Sequence, residues 1–295
     1  MRLKKLLIFF MILFTTFALA GCDYVFTFKP IDNTNNTIST YPLPVNGTIT
    51  FDEADYLSFP IFVSDTYSLT NIDAYNDVLF DTQEHVRHAN IEVYTSLYEE
   101  RLVNPWSNET TTVEVGASSG SGFVFMVDDD YFYAITNFHV VDPSDYIATY
   151  EIKAYGDLGF NEATLIAYDS DIDLAVLRFD INGRQEVELL DIYARLYYRF
   201  NVGEMVIAVG NPYQLYNNVT FGQFKGMESI DNVDYKVIYH DAYINEGSSG
   251  GALVDVDGNL LGVNTWGIEE VDSIDSFSIP NYIVYMFLVN HGILD

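Results

Sequence analysis

Two adjacent serines, Ser248 and Ser249, lie between Gly247 and the pair Gly250-Gly251. A serine hydroxyl is a weak nucleophile until a base takes its proton, and an imidazole oriented by a carboxylate does so near neutral pH. Flanking glycines let the backbone turn sharply and bring amide N–H groups up to a reacting carbonyl. Small-residue loops are also ordinary turns, so this reading requires a base and an acid elsewhere in the chain.

The chain has five histidines. His85 and His88 fall in a helical pattern where a solvated role is expected. His240 is near Ser249 in sequence without being its necessary neighbour, and His291 lies in a polar tail. His139 has the best context: it follows the apolar run Tyr131–Asn137, and a histidine at the end of a core strand can face a cleft. The competing reading is a buried histidine bonded to backbone. For the acid, Asp173 starts the apolar run Leu174–Leu177, with Asp171 and Asp169 as rivals by proximity and a solvated turn as the bland reading of all three.

The elements that must position these residues read as β structure. Residues Ile91–Leu97 alternate as a strand. From Val113 onward, short apolar or alternating runs recur at Gly122–Val127, Tyr131–Asn137, Ile147–Tyr155, Ala163–Tyr168, Leu174–Phe179, Met205–Gly210, Val219–Gly226, Tyr235–Tyr239, Ala252–Val256 and Leu260–Trp266. Asp128-Asp129-Asp130 and Asp257-Gly258 read as turns. Many short strands with few helical windows point to an all-β barrel or sandwich. Asn182–Phe200 divides them into two sets, consistent with two barrels, and its Glu186–Tyr198 portion is expected to include a helical turn. A helix is expected over Ile72–His88, a polar loop over 99–112 with Pro105-Trp106 as a local anchor, and a closing helix from Pro280 to Val289. Residues 51–70 are either a small accessory hairpin or an arm packed on the main domain.

The segments GSGFVF (120–125), YAITNFHVV (133–141), DIDLAVLRF (171–179), GNP (210–212) and DAYINEGSSGGALVDVDGNLLGVNTWG (241–267) resemble, in order, the HtrA-type (Deg-type) branch of the trypsin-like serine proteases. The resemblance covers roughly residues 85–290. It implies an all-β fold of two six-stranded antiparallel barrels with a C-terminal helix, and hydrolysis of peptide bonds through an acyl-enzyme. It places the base on His139, the acid on Asp173, the nucleophile on Ser249, and the oxyanion hole on the backbone N–H groups of Gly247 and Ser249. Thr265-Trp266-Gly267 would pair with substrate backbone as an added strand, which favours extended or unfolded polypeptides. Tyr243 falls where trypsin has its acidic pocket residue, so cleavage after Lys or Arg is not expected; a small or medium apolar residue is. Ser248 replaces the usual Asn of the family's GNSGG, and Glu246 the common Pro. Glu246 is expected to point to solvent, since an inward charge would oppose the oxyanion. No PDZ domain is expected after the closing helix, and homo-oligomerisation is open.

Composition bounds the rest. With 295 residues, 49% of them hydrophobic, the chain can build a large core. The 43 acidic against 13 basic residues, a formal charge of −30, argue against nucleic-acid binding. No HExxH, cysteine pair, EF-hand loop or phosphate loop is present, so no metal or cofactor is expected. At the start, Arg2, Lys4 and Lys5 precede an apolar run to Ala20, the pattern of a secretory signal. Leu19-Ala20-Gly21-Cys22 resembles a lipobox and holds the chain's single cysteine. This implies cleavage before Cys22, its diacylation, and tethering to the outer face of a bacterial membrane. The organisation expected is a signal peptide over 1–21, the acylated Cys22 with spacer and arm over 22–84, a first barrel over 85–182, and a second barrel with helix over 183–295.

Two other readings compete. A catalytically silent, surface-binding lipoprotein on the same scaffold would carry the same residues. An esterase of the α/β-hydrolase type would need a helix after the GxSxG serine and a histidine later in the chain, where only His291 follows.

Overall fold

The computed structural model describes residues 53–104, 109–230, 233–269 and 274–294. The signal-like segment, Cys22, the spacer and Pro105-Trp106 lie outside the described residues. Twelve strands form two closed antiparallel barrels. In the first the order is β1 (Asn90–Asn104), β2 (Glu109–Val127), β3 (Tyr131–Thr136), β6 (Leu174–Asp180), β5 (Asn161–Asp169), β4 (Ile147–Lys153). In the second it is β10 (Ala252–Val254), β11 (Leu260–Glu269), β12 (Ile274–Pro280), β9 (Lys236–His240), β8 (Asn218–Ser229), β7 (Met205–Gly210). The expected fold class is therefore observed, with a closing helix at Asn281–Asn290.

The near-continuous apolar runs of β2, β3 and β6 follow from burial on both faces. Val124, Phe132, Ala134, Ala175, Leu177 and Phe179 fill the first barrel. Their alternate neighbours Phe123, Phe125, Ile135, Leu174 and Val176 belong instead to the core that contains Val206, Ala208, Ile238, Leu253, Val263 and Ile279 of the second. The strands that flank the candidate base and acid thus form part of the shared core.

Residues 53–70 form a packed arm, not a hairpin. A short helix (Glu53–Ser58) places Tyr56 and Phe59 in the core, at 7% and 3% exposure. Tyr56 packs on Phe200 and Tyr282, and Phe59 on Tyr197. Arg199 N donates to the Pro60 carbonyl at 2.8 Å and Phe62 N to the Arg199 carbonyl at 3.2 Å, which laces the arm to the inter-barrel connection. The helix Ile72–Ala89 is capped by Asn71, whose side chain accepts from Asp73 N.

Three expectations are corrected. Residues 99–104 and 109–112 are not a polar loop: β1 and β2 continue as a long hairpin ladder from Asn90↔Phe123 out to Asn104↔Glu109. Its outer part is polar because those strands leave the barrel. Glu186–Tyr198 contains no helix, only successive turns closed by Leu196 N to Tyr193 O and Tyr198 N to Arg195 O. The strand β12 is an addition to the expected runs, because Asp275, Ser276 and Ser278 break the apolar pattern. Pro280 ends that strand and caps the closing helix instead of lying in its first turn. No helix among the described residues is long and apolar enough to cross a membrane.

Candidate active site

His139 is not on a strand end but in a one-turn helix (Phe138–Val141) that follows β3. Below it, Val140 and Val141 are buried in the first barrel, which leaves the imidazole about half exposed at 47%. Asp173 closes the turn between β5 and β6 with a positive φ of 58°. Its carboxylate accepts from His139 Nδ1 at 2.8 Å through Oδ2, and from the His139 backbone N–H at 2.9 Å through Oδ1. A third donor comes from the second barrel: Thr265 Oγ1 lies 3.0 Å from Asp173 Oδ2. Among the described residues neither rival bonds His139. Asp169 accepts from the backbone of Asp171 and Ile172 and so builds the turn, and Asp171 is exposed.

Ser249 meets this group from the other side. Its hydroxyl donates to the Thr265 carbonyl at 3.2 Å, so Thr265 touches both the serine and the carboxylate. Ser248, the alternative nucleophile, is buried, and its hydroxyl accepts from Asn245 N. It shapes the loop.

The backbone of residues 246–251 is almost fully bonded. Five carbonyls accept: Glu246 from Tyr213 N, Gly247 from Ser121 Oγ, Ser248 from Gly251 N, Ser249 from Ser121 N and Gly251 from Asn264 N. The N–H groups of Glu246, Ser248, Gly250 and Gly251 donate to Asn245 Oδ1, Asn245 O, Asn264 O and Ser248 O. Only the N–H groups of Gly247 and Ser249 are left without a partner among the described residues. Paired backbone is the rule inside proteins; two neighbouring donors left free on one loop can bind an anionic oxygen. The loop demands glycine at two points. At Gly247 (φ 94°) a Cβ would lie 2.6 Å from the Asn211 carbonyl, and at Gly250 (φ 88°) 2.1 Å from the Ser121 carbonyl. Glu246 is exposed, as expected for a charge that must stay clear of an oxyanion.

Thr265, Trp266 and Gly267 lie on β11 past Val263, the last residue paired with Ala252 of β10. Trp266 and Gly267 pair with Phe277 and Ser276 of β12 on one side only, and Thr265 is the bulged residue between paired positions. Among the described residues no strand pairs with the opposite edge. Tyr243 is half-buried, with its carbonyl bonded to Thr220 Oγ1 at 2.8 Å and its hydroxyl accepting from Asn245 Nδ2.

The remaining histidines are elsewhere. His85 meets Glu188, and His88 stacks on Tyr155. His291 bonds the Phe287 carbonyl. His240 is fully buried in the second barrel against Ser278 Oγ at 3.0 Å. Burial pushes its pKa down to about 3, so the ring is neutral. Three contributors were not found from the sequence: the Thr265 hydroxyl on the carboxylate, Ser121 Oγ on the Gly247 carbonyl, and Asn137 Nδ2 on the Asp173 carbonyl at 2.9 Å. The first two join residues 92 and 126 positions apart, and no local spacing encodes such contacts.

Comparison with known proteins agrees with this architecture. The family described as "Trypsin-like peptidase domain" matches residues 120–263. Serine protease HTRA4 of Mus musculus is 34% identical over 187 residues, which is 61% of this chain and 36% of that protein. Serine protease HTRA1 of Xenopus tropicalis is 36% identical over 182 residues, 59% of this chain and 36% of that protein. The chain thus spans about a third of the length of the curated relatives it matches. Among solved structures, the HtrA-type protease AlgW with a decapeptide superposes with a TM-score of 0.57 at 25% identity, covering 72% of this chain and 67% of that one. The ordered motifs, the paired barrels and these matches together make the chain similar to the HtrA-type serine proteases, with residues 120–263 matching a trypsin-like peptidase domain.

Proposed function

We propose that the chain is a serine endopeptidase that hydrolyses peptide bonds of extended or unfolded polypeptides. Ser249 attacks the scissile carbonyl, His139 takes the serine proton and returns it to the leaving amine, and Asp173 holds the imidazole with Nδ1 protonated and stabilises the imidazolium. Gly247 and Ser249 N–H receive the oxyanion, and water then hydrolyses the acyl-enzyme. One observation carries the reading: the two amides without partners on the 246–251 loop are those of Gly247 and Ser249, beside a serine that shares Thr265 with the Asp173–His139 pair. In this resting arrangement the serine must turn from the Thr265 carbonyl toward the imidazole, which is ordinary for a site without substrate.

The unpaired edge at Thr265-Trp266-Gly267 supports binding of an extended segment as an added strand. An aromatic Tyr243 in place of an acidic pocket residue supports a small or medium apolar residue before the cut. The proposed peptidase unit runs over the two barrels, 85–182 and 183–295, behind an arm and spacer over 22–84. The basic-apolar start and the lipobox-like Leu19–Cys22 support export, removal of residues 1–21 and a diacyl anchor on Cys22. The task that follows is processing or quality control of proteins outside the cytoplasm, at a membrane surface.

The test is labelling of the purified protein with a fluorophosphonate, alongside degradation of an unfolded protein substrate. Both are expected in the wild type and lost in Ser249→Ala, with the melting temperature retained. A folded wild type that neither labels nor cleaves would be a polypeptide-binding scaffold. For the anchor, a clickable fatty-acid analogue should label the wild type in cells and not Cys22→Ser; equal labelling of both would overturn it.

A further inference from the structure

Asp173 has a backbone conformation that side chains other than glycine's seldom take. Its φ of 58° places it in the left-handed region, where an aspartate is tolerated at a cost. Such residues persist only where their surroundings hold them. Two peptide planes meet at its α-carbon, and each is held by a side chain. Rotation about ψ would swing the Asp173 carbonyl, which accepts from Asn137 Nδ2 at 2.9 Å. Rotation about φ would swing the preceding plane, whose Ile172 carbonyl accepts from the Tyr235 hydroxyl at 3.0 Å. Asn137 stands beside His139 in the first barrel. Tyr235 comes from the other: it immediately precedes β9, 63 residues further along the chain.

We propose that Tyr235 is a positioning residue for the reaction, a strut from the second barrel that fixes φ of Asp173 and so aims its carboxylate at His139. The inference rests on the reading of His139, Asp173 and Ser249 as the reacting set. The strut is suited to the role. The Tyr235 ring packs against the shared core beside Ile172, so its hydroxyl has a fixed origin. Burial, together with the Asp173 charge, raises its pKa well above the usual phenol range, so it stays a donor throughout the working pH. The carboxylate has three donors to satisfy at 2.8 to 3.0 Å. Releasing the peptide before it tilts the oxygens away from at least one, because the side chain moves with the backbone that bears it.

Tyr235→Phe removes the strut's hydroxyl and keeps its ring. Rates are measured per fluorophosphonate-titrated Ser249, so that only competent sites are counted. In the variant kcat is expected to fall about tenfold with KM unchanged, as for loss of an interaction acting on the transition state alone. The acidic limb of the kcat/KM profile should move down by about half a pH unit or more, since a misaimed carboxylate stabilises the imidazolium less. Tyr67→Phe is the structural control. Its hydroxyl, on the arm, accepts from Met205 N of the second barrel at 2.9 Å, and its loss should lower the melting temperature without moving the acidic limb. A Tyr235→Phe protein with wild-type kcat and an unmoved limb would overturn the proposal, as would equal effects of both variants. Failure of the underlying reading has a separate signature: persistence of labelling and cleavage in Ser249→Ala.

Discussion

A carboxylate that accepts from both the ring and the main-chain N–H of one histidine fixes that residue twice. Asp173 does this for His139 at 2.8 and 2.9 Å and takes a third donor from Thr265. All three partners donate, so an amide in its place can satisfy them only through its oxygen. The Asp173→Asn variant therefore faces at least one donor with an NH2 group and favours the wrong imidazole tautomer. It should lower kcat by roughly 10³- to 10⁴-fold. Asparagine accepts a positive φ as readily as aspartate, so the melting temperature should change little. A matching loss of stability and activity would show that the site had merely unfolded.

At the scale of elements, a helical turn and a β-turn do what the strands cannot. A strand alternates its side chains between faces, and both faces of β3 and β6 are committed to cores. The reacting groups therefore sit just beyond the strand ends, on the turn Phe138–Val141 and at the close of the β5–β6 turn. The arm packs on the two-barrel body through Tyr56 and Phe59. Phe59→Ala should destabilise by about 3–5 kcal/mol, the usual cost of emptying an aromatic site in a core. Urea unfolding of the purified protein measures it. A loss under about 1 kcal/mol, the scale of a surface change, would mean that the arm contributes little to the body.

At the scale of the whole molecule, Glu204 and His240 are buried ionisable groups whose effects on stability oppose each other. Arg195 is fully buried between Asp255 at 2.7 Å and Glu204 at 3.2 Å. One cation serves two carboxylates, and burial pushes the Glu204 pKa up from 4.5 to about 7. Between those values the native state holds a proton that the unfolded chain lacks. This contribution is present below pH 4.5 and is lost as pH rises through 7. His240 acts in the other sense: its pKa falls from 6.5 to about 3, so its contribution is present above 6.5 and is lost as pH falls toward 3. The two should nearly cancel between about pH 4.5 and 6.5, with stability declining on either side. In Glu204→Gln the alkaline decline should disappear and the optimum shift upward. Unfolding free energies from pH 3 to 8 would show this, and an unchanged profile in the variant would refute it.

Ser249, His139 and Asp173 could be named as candidates from the sequence, and the turns at 128–130 and 257–258 and the barrel class were legible there, because each leaves a local signal. Glycines mark where the backbone must turn, apolar runs mark buried strands, and motif order carries ancestry. Rival readings of His240 and Asp171 stayed open on the same evidence of proximity, and β12 was hidden by its serines. What only the tertiary structure decided is which polar groups face one another across long separations. Thr265 on Asp173, Ser121 on Gly247 and Tyr235 on Ile172 join segments 63 to 126 residues apart. Their meeting depends on how two closed barrels pack, and that is a property of the whole core and of no single stretch.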